Sequence, residues 1–338
     1  MQQVTTPIAE WRDVDTAVFA EIAARGQPAV LRGLVADWPA VREAGKSADM
    51  LCVYLKRFDN GAQVETLIGP PEIEGRFFYR DDMSGFNFER TKETLANALE
   101  RLLQENHESA TPALAVQSLP MNEALPGFAA ENANPILPAG VEPRIWLGNA
   151  VSVQTHYDPY YNIACVVAGR RRFTLFPPDQ TANLYMGPFE FSPAGTPVSM
   201  ASLDAPDFER HPRFADALAH GQTAELGPGD AIYIPFLWWH HVRSLERFNA
   251  LVNYWWNEAR PPVGTPYEAL FHSMMVLRGL PEDQRKAWRS LFDYLAFACS
   301  GEPLAHLPPE QRGMLGPLSR DRLEQLRLAL VQSMTRRR

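Results

Sequence analysis

Cysteine is scarce in this chain. Its three residues, Cys52, Cys165 and Cys299, are widely separated, and no CxxC pair or zinc-type spacing occurs. That excludes a disulfide scaffold and a thiolate metal cluster, and it suits a reducing compartment where thiols serve as small apolar side chains. Long apolar runs are also missing, with no stretch near the length of about 18 residues that a membrane-spanning helix needs. Positions 1–13 lack the basic start and apolar stretch of a secretory signal, so a cytoplasmic location is expected. Positive charge is not in excess: the formal net charge is -8, which argues against a nucleic-acid partner. Internal repeats and low-complexity tracts are absent. With 46% hydrophobic residues and eight tryptophans, the 338-residue chain can bury a large core rather than stay disordered.

Periodicity divides the chain into three spans. In residues 1–112, the spacing of Val18, Phe19, Ile22 and Ala23 predicts a helix over 14–25, closed by Gly26. Pro28 to Leu34 reads as a short buried strand, and Thr91 as the N-cap of a helix through Leu103. Residues 113–258 change character. Short β-branched and aromatic runs alternate with Gly/Pro turns, the pattern of an antiparallel barrel or jelly roll. Within it, Ile163 to Phe176 reads as a hairpin turning near Gly169, and 180–222 as a long aperiodic insertion of the kind that is functional or a lid. Residues 259–338, beginning at Pro261-Pro262, carry three helical apolar patterns. One runs from Leu270 to Leu277, one from Trp288 to Leu295, and one through Leu323, Leu326, Leu330 and Met334. Arg336-Arg337-Arg338 reads as a solvated tail.

Two short strings carry chemistry. Thr155-His156-Tyr157-Asp158 sets an imidazole and a carboxylate two residues apart, and in a strand both point to one face. Trp238-Trp239-His240-His241 follows the turn Gly227-Pro228-Gly229-Asp230 and the strand-like run Ala231 to Ile234. Two imidazoles and one carboxylate on one side of an ion leave three octahedral positions open, the arrangement of non-haem Fe(II) oxygenases. His240 and His241 face opposite ways on a strand. The exposed character of the Arg243 face favours His240 as the inward ligand. His107, His211, His220, His272 and His306 read as ordinary surface or packing residues.

These strings, with Gly169-Arg170-Arg171-Arg172-Phe173-Thr174-Leu175-Phe176-Pro177-Pro178 and Gly229-Asp230-Ala231-Ile232-Tyr233-Ile234-Pro235, resemble the cupin-8 or JmjC-like oxygenases. That group includes the asparaginyl hydroxylase acting on the hypoxia-inducible factor. Ala29 to Leu34 resembles the family's N-terminal strand. The resemblance implies a mainly β fold, a double-stranded β-helix (jelly roll) core with N-terminal α/β elements and a C-terminal helical segment. It implies Fe(II) held by His156, Asp158 and His240, with 2-oxoglutarate and O2 as co-substrates. Alternation alone lets either Arg171 or the Arg170/Arg172 pair face inward. The resemblance selects Arg171, fifteen residues after His156, for the distal carboxylate of the keto acid. It also brings Asn162 and Asn253 near the co-substrate.

Two positions depart from the family pattern. No tyrosine stands in Ala113-Leu114-Ala115-Val116-Gln117, and Val153 replaces a hydroxyl residue three before the first ligand. Tyr160, Tyr161 and Tyr233 are candidate replacements. Protein or peptide side-chain hydroxylation is the leading activity, with small molecules second and neither membrane nor nucleic acid expected. The aromatic stretch Phe77 to Phe88 and the 180–222 insertion are candidate substrate walls, the former nearer to core. Family resemblance further implies a homodimer through residues 265–335. The competing readings are a metal cupin of another enzyme class and a non-catalytic binding protein on the same fold.

Overall fold

Residues 113–256 alternate short extended segments with tight turns because their β-branched and aromatic side chains fit a pleated, half-buried surface better than a helix. The computed structural model describes residues 4, 6–105, 111–138, 140–257, 264–316 and 319–335. His107, Pro261-Pro262 and Arg336 to Arg338 lie outside the described residues. The chain divides into two compact units, Met1–Asn257 and Glu258–Arg338.

In the first unit the strands are β1 (Thr6–Pro7), β2 (Ala9–Trp11), β3 (Ala29–Leu31), β4 (Gln63–Gly69), β5 (Arg76–Phe77), β6 (Glu89–Thr94), β7 (Ala113–Pro120) and β8 (Pro143–Gly148). They continue as β9 (Ser152–Tyr157), β10 (Tyr161–Ala168), β11 (Arg171–Phe176), β12 (Gln222–Leu226), β13 (Ala231–Ile234), β14 (Trp239–Ser244) and β15 (Asn249–Trp256). A six-stranded sheet runs β1-β12-β11-β14-β9-β5, and a nine-stranded sheet runs β2-β3-β13-β10-β15-β8-β7-β4-β6. From β9 onward the chain passes back and forth between the two. β9, β11, β12 and β14 belong to the smaller sheet, while β10, β13 and β15 belong to the larger. This is the expected jelly roll, a double-stranded β-helix. Strands from 1–112 and from 113–258 share both sheets.

Two apolar layers follow from this topology. Between the sheets lie Ala164, Val166, Ile232, Ile234 and Leu251 from the larger sheet and Phe173, Leu175 and Val242 from the smaller. The other face of the larger sheet, with Ile163, Cys165, Val167 and Val252, is covered by Phe19, Ile22, Leu51, Leu55 and Leu99 from helices of the N-terminal span. Covering on both faces explains why β10 is apolar from Ile163 to Ala168 and buried from Asn162 to Ala168. The helix Thr16–Ala24 is capped by Asp15, whose carboxylate accepts the Val18 N–H at 2.8 Å.

Two local expectations are corrected. β10 and β11 do not form a hairpin: β10 pairs with β13 and β15, and β11 with β12 and β14. At Gly169 the chain crosses from one sheet to the other. A hairpin and a sheet-to-sheet crossing share the same local signal, two apolar runs around a glycine. Thr91 lies inside β6, and the helix begins at Leu95, with the Thr94 hydroxyl accepting from the Asn97 N–H. Pairing of β6 with β4 overrides the capping preference of Thr91.

Gly169 is required at its crossing. Its φ is +72°, and a Cβ there would lie 2.6 Å from the Phe248 carbonyl oxygen. Gly169→Ala is therefore expected to destabilise the protein by roughly 2–4 kcal/mol, combining left-handed strain with displacement of packed backbone. Urea denaturation measures this, and a loss within a few tenths of a kcal/mol would contradict the crossing geometry.

The second unit carries helices Pro266–Leu277, Glu282–Leu295 and Arg320–Thr335. A capping box opens the first: the Thr265 hydroxyl accepts the Glu268 N–H, and the Glu268 carboxylate accepts the Thr265 N–H. Among the described residues, none in these three helices is buried. No helix among the described residues is long and apolar enough to cross a membrane.

Candidate metal centre

β9 and β14 are antiparallel neighbours in the smaller sheet, in a register that sets His156 opposite His240. Asp158 follows directly after β9. Ligand atoms of His156, Asp158 and His240 lie within 4.8 Å of one another, and His240 Nε2 is 3.6 Å from Asp158 Oδ2. The two imidazole centroids are 4.2 Å apart. Donor atoms so grouped are the facial set that a divalent ion with open positions accepts.

Backbone carbonyls select the tautomer of both imidazoles. His156 Nδ1 lies 2.9 Å from the Gln154 carbonyl oxygen and His240 Nδ1 lies 3.1 Å from that of Trp238. A carbonyl can only accept, so each Nδ1 carries the hydrogen and each Nε2 keeps its lone pair for a metal. Burial pushes His240 well below the ordinary imidazole value, aided by the nearby His156. The ring therefore stays neutral, the form that ligates. Burial raises the Asp158 carboxyl above its usual range, opposed by the His156 imidazole and the Trp255 indole. A buried carboxylate grouped with two imidazole nitrogens is a set of donors that a divalent cation would satisfy.

The ligands are aimed by irregular backbone. His240 pairs with His156 but Val242 pairs with Val153, so Gln154 and Thr155 both stand opposite His241. That β-bulge turns Val153 and His156 to the same inner face although they are three residues apart. At the other strand, Leu237 has φ 61° and its N–H donates to the Asp158 carbonyl at 3.3 Å, tying the two ligand segments together. His240 points inward as the alternation predicts. His241 points the other way and is also buried, with its Nε2 3.0 Å from the Ser152 hydroxyl and Asp204 beyond it.

Between the sheets the triad opens on a cavity of about 80 Å³ that is also lined by Arg171, Asn162 and Asn253. Its apolar wall includes Val153, Phe173, Ile234, Val242 and Leu251. The three consecutive arginines part company here. Arg170 and Arg172 are half-exposed and paired with Glu246 at 2.8 Å and Glu225 at 2.6 Å. Arg171 is 5% exposed and has no carboxylate partner among the described residues, and its Nε makes no hydrogen bond. Burial lowers its guanidinium to about 10, so it remains a cation at neutral pH. Asn253 Nδ2 donates to Asn162 Oδ1 at 3.3 Å, and Trp146 Nε1 donates to Asn253 Oδ1 at 2.7 Å, which leaves the Asn162 amide nitrogen free for another acceptor.

None of the three replacement tyrosines reaches this cavity. Tyr233 faces the outer layer, 5.4 Å from Phe19, because its neighbours Ile232 and Ile234 take the inner face. Tyr161 stacks on Trp256, and Tyr160 is exposed beside Trp255. Gln117, Trp146 and Trp255 line the cavity and were not read from the sequence. Alternation along β7 puts Gln117 on the same face as Ala113 and Ala115, a signal that was available. A tryptophan in an apolar strand, by contrast, reads as core. Of the aromatic stretch 77–88, Phe77, Tyr79 and Phe88 are buried in the core and Phe86 stacks 4.5 Å from Phe191 of the insertion, while residues 80–84 between them are exposed. From that insertion Ala194 reaches the cavity wall.

Comparison with known proteins agrees with this architecture. The family model for a cupin-like domain matches residues 15–260. Jumonji C domain-containing protein 5 of Drosophila melanogaster is 30% identical over 236 residues, covering 68% of this chain and 55% of that protein. Lysine-specific demethylase 8 of Xenopus tropicalis is 26% identical over 68% of this chain and 48% of its own length. Lysine-specific demethylase JMJ31 of Arabidopsis thaliana is 36% identical over 112 residues, 33% of this chain and 20% of that protein. The chain thus spans about half or less of the length of these relatives. With a jelly roll, a His-Asp-His triad at its centre and a matching family model over most of its length, the chain belongs to the cupin-like domain family, the JmjC group of iron- and 2-oxoglutarate-type oxygenases and demethylases.

Proposed function

We propose that this chain is an Fe(II)- and 2-oxoglutarate-dependent oxygenase that hydroxylates a side chain of a protein or peptide. On the same reading it is cytoplasmic and works as a homodimer through residues 265–335. The observation that carries the activity is Arg171, a buried cation without a counter-ion among the described residues, in the cavity that holds the triad. A buried charge left unpaired is costly, and a ligand carboxylate held bidentately relieves that cost. Spacing supports the assignment. Arg171 pairs with Ser244 on β14, four residues along from His240. That is about 13 Å of strand, which a short dicarboxylate and an arginine side chain bridge between them.

Each residue then has a task. His156 and His240 offer Nε2, and Asp158 a carboxylate oxygen, to the iron. Arg171 binds the distal carboxylate of the keto acid, and the Asn162 amide is a further donor beside it. Val153, Val242, Leu251 and Phe173 keep water from the reacting atoms. Iron held there would let O2 act as the oxidant, one oxygen atom entering the keto acid as it loses CO2 and the other entering a substrate C–H bond to give the alcohol. Two of the relatives are named as lysine demethylases. Loss of an N-methyl group starts from hydroxylation of that methyl, so the same site serves either result and the substrate decides between them.

Anaerobic titration of the Fe(II)-loaded protein with 2-oxoglutarate tests the proposal. A weak visible charge-transfer band is expected, saturating at one equivalent per chain and missing from His156→Ala. Full iron loading without such a band would sink the keto-acid mechanism.

A further inference from the structure

The 180–222 insertion does more than cover the barrel. β5 pairs with β9 only at Ser152 and Val153, which leaves the edge of β9 open from Gln154 onward, where the ligand His156 stands. Residues 198–201 of the insertion take over that edge. Val198 bridges to His156 in antiparallel fashion, and the Ser199 N–H donates to the Thr155 carbonyl at 2.7 Å. At the bulge Gln154 and Thr155 both stand opposite His241, and each buried carbonyl needs a donor. The Thr155 carbonyl is satisfied by the insertion, and that of Gln154 by His156 Nδ1 at 2.9 Å.

One side chain ties these contacts together. Gln154 is 4% exposed, and its Nε2 donates to the Ser199 carbonyl at 2.7 Å and the Ala201 carbonyl at 3.0 Å. Its Oε1 accepts from Arg76 Nε at 3.3 Å. The Ser199 hydroxyl in turn donates to the Leu184 and Ala201 carbonyls, closing the strap on itself. We infer that Gln154 is a positioning residue for the metal centre: its side-chain amide docks the 198–201 strap, which holds the bulge whose carbonyl orients His156. The inference rests on the metal centre of the proposed function and goes beyond it by giving the insertion a role in metal affinity. Because the strap is docked by buried hydrogen bonds, it acts as fixed scaffolding and not as a lid. Partners that orient a ligating histidine change metal affinity by about 10–100-fold when removed.

Cobalt(II) titration of the 338-residue chain under nitrogen tests this, with ligand-field bands in the visible reporting coordination geometry. Gln154→Met keeps the volume but loses both donors. It is expected to bind Co(II) about 10–100-fold more weakly than the parent and with altered bands. Ser199→Ala loosens the strap without touching β9, and a smaller weakening is expected, which keeps the test open should Gln154→Met not fold. Leu99→Ala, in the helical layer on the far face of the larger sheet, is the control for lost stability. It lowers the melting temperature and leaves Co(II) affinity and bands unchanged. Co(II) binding by Gln154→Met and Ser199→Ala within twofold of the parent, with His156→Ala losing the ion, would overturn the positioning role alone. Retention of the ion by His156→Ala would overturn the metal centre itself, and the inference with it.

Discussion

Arg171→Leu is expected to leave the metal-free protein more stable than the parent while removing its affinity for 2-oxoglutarate. Both effects have one cause. The guanidinium is buried among Phe173, Val242, Leu251 and other cavity residues, and no carboxylate is paired with it among the described residues. A leucine of lesser volume with no charge to desolvate relieves a penalty that the folded protein otherwise carries. Replacing even a paired buried charge, with its partner, by apolar side chains is neutral or stabilising by about 1–4 kcal/mol in other proteins, and an unpaired one carries the desolvation cost without that compensation. Truncating one partner of a buried, hydrogen-bonded charge pair costs about 2–5 kcal/mol of binding, which is roughly 30- to several-thousand-fold in affinity. Arg171→Lys keeps a charge but offers a point donor in place of a fork, so an intermediate loss of about tenfold is expected. Urea midpoints of the metal-free variants and keto-acid titration of the metal-loaded ones measure the two effects. A less stable Arg171→Leu that still binds the keto acid would show that the arginine is structural. The neighbouring arginines give the contrast. Arg172→Leu breaks only an exposed pair with Glu225 and is expected to change stability by less than about 1 kcal/mol and binding not at all.

The triad and the barrel were legible because each rests on short periods. His156 and Asp158 need only the two-residue repeat of a strand, and the apolar runs from Ile163 to Trp256 carry both buried faces in their composition. Alternation by itself does not separate Arg171 from Arg170 and Arg172, and it is the family resemblance that singles Arg171 out. In the structure, pairing with β14 decides which face looks inward. The hairpin at Gly169 failed for a related reason. Local sequence marks where the chain turns, whereas the sheet it enters next depends on strands far away in sequence. The bulge at Gln154 and Thr155 was invisible as well. It reverses the parity between Val153 and His156, and nothing in the residues themselves announces a one-residue slip. Tyr233 failed as a replacement for the missing tyrosine through parity alone, since Ile232 and Ile234 already fill the inner face. Gln117 shows the converse. Its face followed from alternation with Ala113 and Ala115, but a cavity exists there only because β8 and β15 bring Trp146 and Trp255 beside it.

Light scattering of the 338-residue chain is expected to give about twice its 38.0 kDa, the mass of a dimer, and that expectation follows from what the second unit leaves uncovered. Amphipathic helices in globular proteins bury their apolar stripe. The helices Pro266–Leu277, Glu282–Leu295 and Arg320–Thr335 bury no residue among those described. Among the described residues of this unit thirteen large hydrophobic side chains are exposed, including Phe271, Met275 (68%), Trp288, Phe297 (68%) and Met334. A standard interface draws on about 20–30 residues a side, so this set supplies an apolar centre for one. A second copy offers a matching surface by symmetry, since a two-fold interface brings the same patch from both chains. Introducing two charges at the most exposed positions, Met275→Glu with Phe297→Glu, is expected to give a monomer. The double variant should retain the candidate metal centre, because His156, Asp158 and His240 all belong to the unit Met1–Asn257. If association stabilises the helices, the parent's melting temperature will also rise with protein concentration, and that of the double variant will not. A parent chain that runs as a monomer at tens of micromolar, with a melting temperature independent of concentration, would remove the dimer from the reading. The exposed face would then need a different partner.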